Sequence, residues 1–243
     1  TRRSSDLMSG TSADGIDAVA VEIKMQHNPL ALTQCTVVAS HSQPMPRRLQ
    51  QLLLQAMHCT AVPWDTLAQL HVLLAQQFSQ AAQVVITQAQ QQQKTMHLLA
   101  CHGQTVYHYP PQPTQLGCSL QWGSPALVAA QTGLPVVADF RSADMAYGGQ
   151  GAPLIPFADQ LLLQHPTIGR AVQNIGGIAN VTVLPSQAQG HQPVIAFDTG
   201  PGNMLLDAWS RVLLDQPYDR DGCAAAQGRV CHALVQQLMN MSY

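Results

Sequence analysis

Apolar residues recur at spacings of three and four through Leu67, Leu70, Leu74, Phe78, Ala81 and Val85, which makes one stripe on a helix from Asp65 to about Gln90. Pro63 and Asp65 supply its start signal, with Asp65 as the N-cap. Upstream, the β-branched runs at 18–23 (AVAVEI) and 35–40 (CTVVAS) predict strands, and 47–57 predicts a helix. Downstream, residues 97–100 with Val106 and Tyr107 predict strand–turn–strand around Gly103. Residues 124–132 predict a helix closed by Gly133, and 134–140 (LPVVADF) a buried strand. Two strand-like pieces surround NIGGIAN within 171–184, and 194–197 reads as a buried strand ending at Asp198. A helix opens at 204–209, and the stretch from Ala224 to Met241 is helical in pattern. Strands alternating with helices predict an α/β fold.

The 243 residues are enough for one large domain or two small ones. Charged residues make up only 10% and the net charge is −2, with no Lys/Arg cluster, which argues against nucleic-acid binding. Six scattered cysteines form no CxxC pair, no signal-peptide pattern is present, and no apolar stretch is long enough to span a membrane. The expectation is a reduced, soluble, cytoplasmic protein without a membrane partner.

Three glycine-containing motifs carry candidate chemistry. In MSGTSADGID (Met8 to Asp17), small and hydroxylated residues around two glycines let the backbone approach a ligand and aim N–H groups at it. Ser9, Thr11 and Ser12 add hydroxyls, and Asp14 or Asp17 can hold Mg²⁺ directly or through water. The same string also reads as a plain hairpin turn with Asp-Gly at its tip. NIGGIAN offers a Gly176–Gly177 pair that allows positive φ between two strands. In FDTGPGNMLLDAW, Asp198 precedes a Gly-Pro-Gly turn and a helix, where it serves either as a reactive carboxylate or only as the helix cap.

A fourth segment, ADFRSADMAYGGQGAPLIP, places Asp139, Arg141 and Asp144 ahead of a glycine-rich turn. Arg141 there is either a clamp for a carboxylate or phosphate or the partner of Asp139 or Asp144 in an ion pair. His102 and His108 would share a strand face only if the chain stayed extended, and Gly103 is expected to break it. With no third ligand nearby, no metal-binding residues are assigned. No GxSxG elbow supports a hydrolase.

Glycine loops after apolar strands resemble the actin-like and sugar-kinase ATPase superfamily. In order, MSGTSADGID, HGQTVYH, GGQGAPLIP, NIGGIANVT, FDTGPGNMLLDAW and YDRDG resemble the anhydro-N-acetylmuramic acid kinase family, from about Leu7 onward. The resemblance implies a ribonuclease-H-like ATPase fold of two lobes, 1–140 and 141–243, with the second truncated at the C-terminus. It implies a kinase that uses ATP, Mg²⁺ and water to turn 1,6-anhydro-N-acetylmuramic acid into N-acetylmuramic acid 6-phosphate during peptidoglycan recycling, and it is compatible with a homodimer. By motif, Asp198 would be the catalytic base. Gly10, Thr11, Ser12, Ala13, Asp14, Gly15, Ile16, Asp17, Gly176 and Gly177 would bind the nucleotide. His102, Gln104, Arg141, Asp144, Gly200 and Asn203 would contact the sugar. A kinase of another small sugar and a non-catalytic sugar-binding remnant are the alternatives. The polar TRRSSD before Leu7 departs from the family's apolar first strand, so that strand is expected to pair poorly.

Overall fold

A computed structural model of the protein describes residues 2–8, 15–27, 30–59, 61–190 and 192–241. Strand β1 (Arg2–Met8) corrects the expectation for the N-terminus. It is paired along its length antiparallel to β2 (Gly15–His27), and from Ser4 to Met8 parallel to a strand further on. Main-chain hydrogen bonds on two sides, with Leu7 fully buried, hold a strand whose first five residues are polar. Arg3 turns its charge to account by donating Nε–H to Glu22 Oε2 at 2.7 Å, with Lys94 Nζ 3.4 Å from the same oxygen. That hydrogen bond from Arg3 is the main reason the Glu22 carboxyl titrates below its usual range.

Strand β3 (Leu30–Pro44) completes a long hairpin with β2, so the two β-branched runs are longer than their apolar cores. Helices α1 (Arg47–His58) and α2 (Trp64–Gln91) follow. The α2 stripe is as expected: Leu70, Leu74, Phe78, Ala81 and Val85 are all fully buried. The helix starts one residue earlier than predicted, with Pro63 rather than Asp65 at the N-cap. The ring-fixed φ of Pro63 opens the first turn, and Asp65 Oδ1 instead accepts from the amide of Thr66 at 2.8 Å.

Strand β4 (Leu98–Tyr109) is continuous, which corrects the expected break at Gly103. Gly103 has φ +72, and the register against β1 jumps from Leu7–Cys101 to Met8–Gly103. His102 is thus the extra residue of a bulge, and a glycine able to take left-handed backbone absorbs it without ending the strand. Strand β5 (Cys118–Trp122), α3 (Pro125–Thr132), β6 (Val136–Ala138) and α4 (Phe140–Ala146) complete this part. Ser124 caps α3 by accepting from Leu127 N, and left-handed Gly133 closes it, as predicted. Only three residues of 134–140 form strand, and Val137 is exposed. The left-handed turn at Asp139 sends the chain into α4 before a longer strand can form. The mixed sheet has the order β3-β2-β1-β4-β5, with β6 also on β4, and α2 packs against it.

The chain divides into two units between Leu154 and Ile155. In the second, α5 (Ile155–Leu163) precedes a three-stranded antiparallel sheet of β7 (Arg170–Ile175), β8 (Ile178–Leu184) and β9 (Ile195–Pro201), in that order. β9 runs on through Asp198 to Pro201, four residues past the expected end. Helix α6 (Asn203–Leu214) follows. The predicted helix at 224–241 is two pieces, α7 (Cys223–Gln227) and α8 (His232–Met239), because extended Gly228 ends the first. No helix among the described residues is long and apolar enough to cross a membrane, and no disulfide joins any of the six cysteines.

Candidate active site

Each unit brings predicted residues together around a bulge. In the first unit, β4 exchanges partners at His102 and Gly103. Leu99, Ala100 and Cys101 pair with β6, whereas Gln104 to Tyr109 pair with β5. Two strands that leave the same edge in different directions open a crevice between them. A cleft of about 240 Å³ lies there, lined among others by His102, Ser119, Gln121, Asp139 and Ser142.

His102 is fixed at both ring nitrogens. Nδ1 lies 2.9 Å from the carbonyl oxygen of Gly103, and Nε2 lies 3.1 Å from Arg141 Nε. A carbonyl only accepts and a guanidinium only donates, so these partners select the neutral tautomer with hydrogen on Nδ1. Arg141 also donates Nη1–H to the carbonyl of Gly151 at 2.6 Å. It forms no ion pair with Asp139 or Asp144; the described ion pairs are those of Glu22 with Arg3 and Lys94. The ion-pair reading of Arg141 is thereby removed. Among the described residues its positive charge meets an imidazole and a carbonyl but no carboxylate. Burial itself works against that charge, and it lowers His108 too, with the positive charge of Arg141 adding to the effect.

Asp144 is engaged within the protein. Its Oδ2 accepts from the amide of Gly151 at 2.8 Å, so Arg141 and Asp144 hold the carbonyl and the N–H of the same glycine. Asp144 thus positions the loop that Arg141 also grips. Gln104 is fully buried, with Nε2 donating to Thr105 O at 3.3 Å. Across the crevice, Gln121 Nε2 donates to Ser119 Oγ at 2.6 Å, and that oxygen lies 3.1 Å from His108 Nδ1. Neither Ser119 nor Gln121 was singled out from the sequence. The CSLQW strand is short and follows a proline-rich stretch, and its only signal is the residue alternation.

In the second unit, the register between β8 and β9 shifts at Asp198. Asn180 faces Asp198 and Ala179 faces Gly200, which leaves Thr199 as the extra residue. Bulges of this kind re-aim neighbouring side chains next to reactive sites. Gly202, and not Asp198, is the N-cap of α6, so the capping role does not account for the aspartate. The Asp198 side chain is exposed and has no hydrogen-bond or ion-pair partner among the described residues.

The glycine pair behaves differently from its sequence reading, because neither Gly176 nor Gly177 has positive φ. Their carbonyls point at the start of α6, where Gly176 O accepts from Asn203 N at 2.8 Å and Gly177 O from Gly202 N at 2.8 Å. Asn203 returns a bond from Nδ2 to Ile175 O at 3.1 Å. With the carbonyls turned to α6, the hairpin does not need left-handed backbone, and its amides donate to no described residue. Gly202 is required by close approach, since a Cβ there would stand 2.5 Å from Gly176 O. In YDRDG, Asp219 accepts from Ala224 N and Ala225 N, both at 2.9 Å, and these bonds hold its carboxyl below the usual range. Gly15, Ile16 and Asp17 open β2, with Ile16 fully buried and Asp17 exposed. Gly10, Thr11, Ser12, Ala13 and Asp14 lie outside the described residues, in the connection between β1 and β2.

A family model described as anhydro-N-acetylmuramic acid kinase matches residues 3–243. The chain belongs to that family. A relative of that name from Acaryochloris marina (strain MBIC 11017) is 45% identical over 238 residues, covering 95% of this chain and 60% of the relative. One from Bacillus cereus (strain ATCC 10987 / NRS 248) is 40% identical over 240 residues, covering 98% of this chain and 61% of the relative. The chain therefore spans about three fifths of the length of the curated relatives it matches. A solved exopolyphosphatase from Cytophaga hutchinsonii ATCC 33406 is 8% identical with a TM-score of 0.38, covering 88% of this chain and 61% of that one. The anhydro-N-acetylmuramic acid kinase match takes in both clusters, the crevice of the first unit and the Asp198 bulge of the second.

Proposed function

We propose that this chain acts in the reaction for which its relatives are named, on the ribonuclease-H-like ATPase scaffold of two lobes. The substrate is 1,6-anhydro-N-acetylmuramic acid, and the product, formed with water and ATP in the cytoplasm, is N-acetylmuramic acid 6-phosphate for peptidoglycan recycling. The observation that carries this reading is Asp198, an exposed carboxylate beside a bulge, with no partner among the described residues and no capping duty.

An ionised Asp198 takes a proton from the water that attacks the anomeric carbon. As the new C1–O bond forms, the bond from C1 to the bridging 6-oxygen breaks and its electron pair stays on that oxygen. The 6-oxygen then bonds to the γ-phosphorus and ADP leaves, so the proton on Asp198 balances the step. The amides of Gly176 and Gly177, which donate to no described residue, suit a phosphate oxygen, and the loop from Gly10 to Asp17 is the nucleotide-binding segment of the first unit. No group of three His, Cys, Asp or Glu suited to a metal occurs among the described residues. Mg²⁺ then fits as an ion held by one or two carboxylates, Asp17 among them, with phosphate and water completing its shell. Bound there, it would neutralise charge on the transferring phosphoryl group. Arg141, with no carboxylate partner, takes the acid group of the sugar, while Gly200 and Asn203 shape the turn after Asp198.

The test is coupled ADP release from this chain with ATP and Mg²⁺, with and without the anhydro-sugar. Sugar-dependent ADP is the expected result. ADP release that ignores this sugar but follows another would replace the substrate assignment.

A further inference from the structure

We infer that Gln173 is a positioning residue for Asp198, its side-chain amide pinning the bulge that decides which face of the sheet the Asp198 carboxylate takes. The inference rests on the reading of Asp198 as the base. Gln173 is an exposed residue of β7, an edge strand of the second sheet. Its Nε2 donates to Asn180 O at 2.9 Å and to Thr199 Oγ1 at 3.2 Å, with a longer contact to Asn174 O at 3.3 Å. One amide thus ties together all three strands, from β7 across β8 to β9. An amide NH₂ carries two hydrogens, so the two shorter bonds are made at once. Two strand spacings, roughly 10 Å, separate β7 from β9, and bridging them takes a long side chain with a donor at its tip.

The bulge gives this bond its consequence. Paired residues on neighbouring strands share a face, and successive residues on one strand alternate between faces. Gln173 pairs with Val181, and Asp198 pairs with Asn180, the neighbouring residue on β8. Gln173 and Asp198 therefore lie on opposite faces. Thr199 is the extra residue, and its bond to Gln173 holds its hydroxyl on the face away from Asp198. Without that bond, the extra residue is free to move one place back. Thr199 then faces Asn180 and Asp198 becomes the unpaired residue, while the flanking pairs Val181–Phe197 and Ala179–Gly200 stay as they are. Such a slip exchanges the faces of the two side chains. It puts a hydroxyl, which is no base for water, where the carboxylate stood. Gln173 opposes the slip twice, through Thr199 itself and through the carbonyl of Asn180, the residue that Asp198 faces.

The experiment measures kcat, the KM for 1,6-anhydro-N-acetylmuramic acid and the melting temperature, by coupled ADP release and thermal unfolding. It compares the 243-residue chain with its Gln173→Met, Thr199→Val and doubly substituted variants. Methionine keeps the length of glutamine and valine the branching of threonine, while each removes one side of the bond. The expected result is a kcat lower by about 10–100-fold in each single variant, the scale of an ångström-sized misplacement, with KM and melting temperature close to the parent's. The double variant should be no slower than the slower single one, because both changes break the same contact. A parental kcat in Gln173→Met would overturn this inference alone. So would losses that multiply in the double variant, or a fall in kcat that comes only with a lower melting temperature. A parent without sugar-dependent ADP release would overturn both this inference and the reading beneath it.

Discussion

Arg141 donates Nε–H to the Nε2 of His102 at 3.1 Å, and no carboxylate of the described residues lies within ion-pair distance of it. The pairing makes a residue of strand β4 and one of helix α4 a single unit: the imidazole orients the guanidinium, and the guanidinium fixes the tautomer. Replacing Arg141 by Gln removes the charge while keeping a donor. Sugar affinity should then fall by about 1.5–3 kcal/mol, the worth of a charge-assisted hydrogen bond. A neutral anhydro-sugar without the acid group should lose much less. Calorimetric titration of both sugars checks this, and equal losses would remove the anion-clamp role.

The titration of His108 gives a pH dependence. Burial, then the charge of Arg141, lowers its pKa from the ordinary 6.5, so the folded state holds the ring neutral where the unfolded chain is already protonated. The unfolded state therefore binds more protons, and stability rises with pH through this window. The contribution is full above pH 6.5 and is lost as the pH falls from there through the folded pKa. Melting temperatures from pH 7.5 to 5 should fall less steeply for His108→Gln than for the parent. Identical slopes would place the ring in water-like surroundings.

Gly202 tests the second unit. A methyl group on it would meet Gly176 O at 2.5 Å and Ile175 Cγ2 at 3.3 Å, so either the hairpin or the start of α6 must move. Gly202→Ala should cost about 1–3 kcal/mol in denaturant unfolding, the usual scale for overpacking. The Asn203 Nδ2 bond to Ile175 O should be disturbed with it, which amide exchange around residues 175–178 would register.

Asp144 bonds to the loop, so its removal should act indirectly. Asp144→Ala releases the Gly151 amide while Arg141 still holds the Gly151 carbonyl. Faster hydrogen exchange at Gly151, a several-fold loss of sugar affinity and a nearly unchanged melting temperature are expected. A loss of affinity with no change in exchange would instead make Asp144 a direct sugar contact.

Legibility from sequence followed how local each cause is. Helix α2 was readable because burial of Leu70, Leu74, Phe78 and Val85 is written directly in their spacing. α3 was readable because Ser124 and Gly133 do their capping within one turn of the helix. β1 was misread because its order comes from neighbours on both sides, which a polar string does not announce. The break expected at Gly103 was a bulge, since glycine punctuation alone does not separate a turn from one extra residue in a strand. Within the site, the motif wording pointed to His102, Arg141 and Asp198. The exchange of β4 from β6 to β5, which makes the crevice, joins residues 37 positions apart on the β6 side (Leu99 with Val136) and 9 to 18 apart on the β5 side. Ser119 and Gln121 sit in no motif of their own, and Gly176 and Gly177, which permit positive φ, do not use it.

The central claim is that Asp198 is the base. Its most direct measurement is sugar-dependent ADP release by Asp198→Asn against the parent chain, with sugar binding measured on both. The account predicts a rate lower by about 10²–10⁴-fold, the usual contribution of a general base, with sugar affinity close to the parent's. A variant that releases ADP at the parental rate would contradict it.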